Sequence, residues 1–327
     1  MKLLTVAAMA FTLLAGSVNA AEQLNAYSIM PEKYASKVFA EFTKDTGVKV
    51  NFMRFSSGEA LARLNAEKKN PQVDVMLGGP ADTYAAGVKE GIFEQYRPKD
   101  SDAIPASLRD PQNHWTGIGI IPLCFLTNTK FLEKNKMHAP ESWNDLLDPR
   151  YKNNLQMADA RTSGTATERI YSLVKVMGED PAFAYQKKGN IQMYTKSGAG
   201  GAMPIATGQC GSGIFYIVDA LDIQQQGYSV VITYPKDGVS YGIEATGIVK
   251  NAKNMDAAKK FVDWAASKKF ADFIVANKIN YVPTRSDVKT SNPLLDLSKI
   301  NMKDVDVAWK GEKRKEYTNR WINEVIK

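Results

Sequence analysis

Residues 54–77, RFSSGEALARLNAEKKNPQVDVML, close one short strand, turn through Ser56-Ser57-Gly58, run on as an amphipathic helix and return through Asn70-Pro71 into an apolar strand. Helical spacing between two strand-like segments describes a β-α-β unit. The same alternation extends outward. QLNAYS (23–28) reads as a strand, PEKYASKVFAEFTKDTG (31–47) as a helix, VKVNFMRF (48–55) as a strand, GEALARLNAEKK (58–69) as a helix and VDVML (73–77) as a strand. Pro31 suits a first helical position and Gly47 a site just beyond a helix end. Alternation of this kind predicts an α/β domain with a largely parallel sheet.

Further along, TGIGIIPLCFLTN (116–128) is a long β-prone run with Pro122 inside it. Proline in a strand implies an edge, a bulge or a change of direction, as in a chain crossing between domains. YGIEATGIVK (241–250) is a second such run and carries the chain back. Between them, ESWNDLLDP and GTATERIYSLVKVMG read as helices, and CGSGIFYI and SVVITYP as strands. After the return come a helix, FVDWAASKKFADFIVANK (261–278), and a helical C-terminal region (303–327). The expected division is a first lobe of residues 21–120 plus 241–327 and a second of 121–240.

The opening MKLLTVAAMAFTLLAGSVNA reads as a secretory signal, with Lys2 as the charged region, an apolar run, and Val18 and Ala20 at the small positions before a cleavage site. The apolar run is shorter than the ~20 residues a bilayer span requires, and no Cys follows it for lipid attachment. A mature, exported chain beginning at Ala21 is expected. The formal charge of +7 comes from lysines scattered over helical segments, without a basic tract interleaved with aromatics. An anionic small ligand fits this balance better than nucleic acid. Export permits a disulfide between the two cysteines, Cys124 and Cys210; two buried free thiols fit the apolar settings equally well.

The turns carry the functional signal. Ser28 ends the first strand, Ser56-Ser57-Gly58 follows the second, and Gly78-Gly79 the third. Thr162-Ser163-Gly164-Thr165 and Ser197-Gly198-Ala199-Gly200 each precede a helix. Helix starts expose unpaired N–H groups at the positive end of the helix dipole and bind anions without a charged side chain. Open α/β sheets place ligands beyond the carboxyl ends of their strands. Any one of these hydroxyls also serves as an N-cap; five such turns in one chain point to a ligand cleft. Catalytic signatures are poor. His114 and His138 lie in loop-like settings, Ser286 and Lys289 form an isolated Ser-x-x-Lys, and no GxSxG, HExxH or P-loop occurs. A secreted hydrolase is the remote alternative.

In their order along the chain, AYS, SSGEALARLNAEKKNPQVDVM, DARTSGTA, YTKSGAGGAMPIATGQ and YPKDGVSYGIEATGIVKNAKNMDAAKKFVDW resemble the periplasmic substrate-binding proteins of ABC importers, in the ferric-iron and organophosphate-binding branch. The resemblance implies a two-domain, type II (Venus-flytrap) α/β fold with hinge strands between the lobes, no enzyme activity, no cofactor, a monomer, and delivery of a small anionic solute to an inner-membrane ABC permease. Ferric binders of this family use adjacent tyrosines with a histidine and a glutamate. Here Tyr216 stands next to Ile217, the first turn reads Ile-Met-Pro, and LGGPADT has no glutamate. Iron, with Tyr216 as a surviving ligand, is therefore the alternative to a phosphorylated sugar or phosphonate. For the latter, Ser28, Ser56, Ser57, Gly58, Thr162, Ser163, Gly164, Thr165, Ser197 and Gly198 are expected as donors to the anion. Asp219 and Glu244 are expected at ligand hydroxyls or an ammonium, and Tyr216 and Tyr241 as stacking groups.

Overall fold

The computed structural model describes residues 22–189, 191–303 and 306–327; the expected signal segment lies outside them. Among the described residues, nine strands and eleven α-helices follow in chain order: β1 (Gln23–Ser28), α1 (Glu32–Thr46), β2 (Lys49–Arg54), α2 (Ser57–Glu67), β3 (Val75–Pro80), α3 (Ala81–Lys89), β4 (Thr116–Asn128), α4 (Thr129–Asn135), β5 (Leu155–Ala158), α5 (Gly164–Met177), α6 (Glu179–Lys188), β6 (Ile191–Thr195), α7 (Gly198–Ala206), β7 (Ser212–Tyr216), α8 (Ile217–Gln225), β8 (Val230–Thr233), β9 (Tyr241–Ile248), α9 (Met255–Ala265), α10 (Lys268–Ala276) and α11 (Val307–Arg320). The strands order as β2-β1-β3-β9-β4-β7-β5-β6, with β8 added to β4.

The β-α-β reading of the first segment holds. β1 pairs in parallel with β2 and β3. α1 buries Tyr34, Ala35, Val38, Phe39 and Phe42, a stripe on one helix face. Phe39 and Phe42 lie 5.4 and 5.1 Å, centroid to centroid, from Phe261 of α9; burying each ring contributes about 2–3 kcal/mol. Gly47 ends α1 at φ 75°, where a side chain is strained, and its N–H donates to the Thr43 carbonyl.

All thirteen residues of β4 are buried. It pairs antiparallel with β9 over Thr116–Pro122 and then with β7 over Leu123–Thr127. The change of direction expected at Pro122 is thus an exchange of partners, at the residue that lacks an N–H for the ladder. β9 returns between β3 and β4, so these two strands run between the halves of the sheet. α11 packs against both α3 and α5, and the π-helical turn Trp321–Ile326 packs against α6.

Several local readings change. Pro31 is the N-cap of α1 rather than its first residue. ESWNDLLDP is not an α-helix: the Asp145 carboxylate accepts the Glu141 and Ser142 amides at 2.8 and 2.9 Å, and short 3-10 turns follow at Asn144–Leu147 and Pro149–Tyr151. The helix expected over 261–278 is two, because the Ser267 hydroxyl accepts the Phe270 amide and starts α10 afresh. Cys124 and Cys210 are both buried free thiols.

Candidate functional site

A cavity of about 50 Å³ opens where the carboxyl ends of strands from both halves meet. On this measure a water occupies roughly 10–15 Å³, so the space suits about four water-sized atoms, the size of one phosphate group. Its wall includes the beginnings of α2 (Ser56, Ser57), α5 (Ser163, Gly164, Thr165) and α7 (Ser197, Gly198, Ala199). Pro31, Pro80 and Tyr216, the residues capping α1, α3 and α8, complete the circle. First-turn amides have no acceptor inside their own helix. Six positive helix ends therefore face one small volume.

Of the residues singled out in the sequence, Ser56, Ser57, Ser163, Gly164, Thr165, Ser197, Gly198, Tyr216, Asp219 and Glu244 line this cavity; Ser28, Gly58, Thr162 and Tyr241 do not. Ser28 is fully buried at the end of β1, its hydroxyl without a partner among the described residues, one residue short of the wall formed by Ile29 and Met30. The Gly58 amide is occupied by the Thr162 carbonyl at 2.8 Å, and the Thr162 hydroxyl donates to the Lys196 carbonyl at 2.7 Å. Tyr241 begins β9, and its carbonyl accepts from the Lys310 ammonium at 3.1 Å.

The hydroxyls in the wall differ in what they already do. Ser56 and Glu59 form a capping box: the Ser56 amide and hydroxyl both donate to the Glu59 carboxylate, at 3.2 and 2.7 Å. These bonds hold Glu59 below its ordinary pKa. The Ser197 hydroxyl accepts the Gly200 amide at 3.3 Å. Ser57, Ser163 and Thr165 are buried, and their hydroxyls make no hydrogen bond among the described residues.

Opposite the helix starts stand two carboxylates. Glu244 Oε2 accepts from the Gly79 amide at 2.7 Å and from the Tyr281 hydroxyl at 3.0 Å; Asp219 makes no hydrogen bond among the described residues. Burial pushes both up to about 7; for Asp219 the Glu244 charge adds to the rise and Arg54 opposes it, and for Glu244 the Gly79 and Tyr281 bonds oppose it. Arg54, at the end of β2, also lines the cavity and makes no ion pair among the described residues. Sequence reasoning missed Arg54 and Tyr281. The signal for Arg54 was its place at a strand end directly before Phe55-Ser56-Ser57-Gly58.

Beneath this wall lies a buried ionic cluster. Lys310 and Arg314 of α11 pair with Glu168 of α5 and Asp82 of α3, and all four side chains are buried. The Tyr171 hydroxyl donates to Asp82 at 3.2 Å and the Lys310 carbonyl at 3.0 Å. Tyr216 joins cluster to cavity, its hydroxyl 3.4 Å from the Gly164 carbonyl and 3.5 Å from Glu168. Burial first, then the neighbouring carboxylates, hold its phenol well above 10.

The family model of bacterial extracellular solute-binding proteins matches residues 70–309. An uncharacterized protein of Haemophilus influenzae is 32% identical over 322 residues, which cover 95% of this chain and 92% of that protein. The periplasmic binding protein AfuA from Actinobacillus pleuropneumoniae, solved with exogenous fructose-6-phosphate bound, is 33% identical; it matches with a TM-score of 0.89 over 93% of this chain and 99% of its own. A putative 2-aminoethylphosphonate-binding periplasmic protein of Salmonella typhimurium is 28% identical over 269 residues, 78% of this chain and 75% of its own length.

Proposed function

Because the chain belongs to the bacterial extracellular solute-binding protein family, we propose that it is the periplasmic receptor of an ABC importer for a small organic phosphate or phosphonate. The mature chain starts at Ala21 and acts as a monomer, without enzymatic activity, that hands its ligand to an inner-membrane permease. Its lobes divide near residues 120 and 240, where β4 and β9 pass between the sheet halves. α11 straps the two, touching α3 on one side and α5 on the other.

One observation carries the ligand class: the cavity is bipolar. Helix starts and Arg54, which makes no ion pair among the described residues, form an electropositive wall, while Asp219 and Glu244 offer acceptors that the described residues leave incompletely used. Buried polar groups require partners. A ligand with an anionic head and a tail bearing hydroxyl or ammonium donors supplies both kinds at once; the only donors of inorganic phosphate are the P–OH groups of the head itself. The volume matches the anionic head of such a ligand.

Ferric iron is the weaker reading. Tyr216 is followed by Ile217 rather than by a second tyrosine, and its hydroxyl faces the Gly164 carbonyl and Glu168.

Native mass spectrometry of the protein purified from periplasm, followed by calorimetric titration with fructose 6-phosphate, 2-aminoethylphosphonate, inorganic phosphate and ferric citrate, tests the assignment. Binding of an organic phosphate or phosphonate at least tenfold tighter than inorganic phosphate is expected; a coloured ferric complex, or a preference for inorganic phosphate, refutes it.

A further inference from the structure

Two glycines, one from each half of the molecule, sit at one close contact beside the cavity. Gly58, in the first turn of α2, donates its N–H to the Thr162 carbonyl in the turn before α5 at 2.8 Å. A Cβ on Gly58 would stand 2.6 Å from the Arg161 carbonyl oxygen and 3.0 Å from the Thr162 Cα. Gly164, the first residue of α5, answers from the other side: its Cβ would stand 2.6 Å from the Ser57 hydroxyl oxygen and 2.8 Å from Pro80. At Gly58 main chain thus touches main chain across the cleft, and at Gly164 main chain meets the Ser57 hydroxyl and the Pro80 ring, in both cases at distances a Cβ does not allow.

Other contacts between the halves are made by side chains. Tyr34 reaches Asp222 at 3.2 Å, and Gln225 and Asn280 exchange hydrogen bonds at 3.0 and 3.3 Å. Those side chains have rotamers with which to adapt to a wider or narrower cleft. The Gly58–Thr162 contact, backbone on backbone, has none. It also brings the positive ends of α2 and α5 together, an arrangement that repels itself until an anion sits between them.

We infer that Gly58 and Gly164 form the seam on which the lobes shut, and that they act as positioning residues which set how far the cleft closes over its ligand. Gly58 does not line the cavity and its amide is occupied, so it acts through closure rather than by touching the solute. Only the trigger for closure rests on the anion reading proposed above. Gly58 carries no positive φ, and alanine is the better helix former. Replacement therefore suits α2 itself and obstructs only the closed arrangement.

The test places spin labels at the exposed positions Lys69→Cys and Lys187→Cys and measures interlobe distances with and without fructose 6-phosphate, 2-aminoethylphosphonate and inorganic phosphate. The parent chain is expected to populate the short distance of the closed structure. Gly58→Ala and Gly164→Ala should each lose that population and raise the dissociation constant of any probe that binds at least tenfold. The double variant should be no worse than the single ones, since one obstruction suffices. Unliganded Gly58→Ala should melt at or above the parent temperature, which separates blocked closure from damaged folding. A parent chain that closes equally with no anion, while the variants stay open, keeps the seam and sinks the anion reading. Variants that close like the parent, or a parent that never reaches the short distance, overturn the seam.

Discussion

The carboxylate of Glu244, on the returning strand β9, accepts the amide of Gly79 at 2.7 Å at the far end of β3. The bond joins two neighbouring strands where β3 is irregular, with Gly78 and Gly79 at φ 78° and 80°. Glu244→Gln keeps an acceptor for Gly79 and removes a buried charge, so the unliganded chain at pH 8 is expected to be as stable as the parent or more so. Ligand affinity should fall about tenfold, roughly 1.4 kcal/mol. Glu244→Ala strands both the Gly79 amide and the Tyr281 hydroxyl and should cost about 1–3 kcal/mol. Urea denaturation and calorimetry of the two variants check this.

The pH dependence has a definite sign. Asp219 and Glu244 rise from ordinary values of 3.8 and 4.5 to about 7 in the folded chain. Between those limits the folded state holds more protons than the unfolded one, so stability falls as pH rises. The contribution is full below about pH 4 and lost as pH passes about 7. The unliganded chain should therefore melt higher at pH 6 than at pH 8, and Asp219→Asn combined with Glu244→Gln should flatten that fall. A ligand that donates hydrogen bonds to the ionised pair reverses the trend for binding: its stabilisation in thermal melts should grow between pH 6 and 8.

The ion pair between Asp82 and Arg314 is buried, so its value lies in both partners being present. Arg314→Met leaves the Asp82 carboxylate without its cation and should cost about 3–5 kcal/mol. Asp82→Leu together with Arg314→Met removes both charges and should recover most of the loss. A double-mutant cycle by chemical denaturation reads the difference, and additive losses would count against a coupled pair.

The β-α-β-α-β opening was legible because its apolar spacing and its glycine at position 47 agree with each other at every element. The long runs at 116–128 and 241–250 were legible for the same reason: uninterrupted β-prone residues read as buried strands, and Pro122 marked where the partner changes. Elements stabilised by tertiary context were not. α8 begins at Ile217 directly after β7, without a polar cap at Tyr216 to announce it, and α9 and α10 read as one helix because Ser267 interrupts no apolar period. In the site, a hydroxyl before a helix marks a turn but not what the turn faces. Ser28 and Ser57 look alike in sequence; only the sheet sends the first into the interior and the second to the cavity. The occupation of the Gly58 amide depends on Thr162, more than a hundred residues away, and no local pattern records it.

Ser57 offers the sharpest separation of charge from size in the cleft. It is the first residue of α2, buried against the cavity, with Ser56 retained before it as the cap. Ser57→Asp sets a carboxylate where an anionic head is expected, yet acidic residues in a first helical turn favour the helix dipole, so the unliganded chain should melt within a few degrees of the parent. Size is a second effect, because the Ser57 hydroxyl already lies close to Gly164. Ser57→Asn has nearly the same volume without the charge and isolates it. If the helix start receives an anion, Ser57→Asp should weaken binding of fructose 6-phosphate or 2-aminoethylphosphonate at least tenfold beyond Ser57→Asn, a difference of about 1.4 kcal/mol or more. Equal losses in the two variants would assign Ser57 to packing at the lobe contact and remove α2 from the anion site.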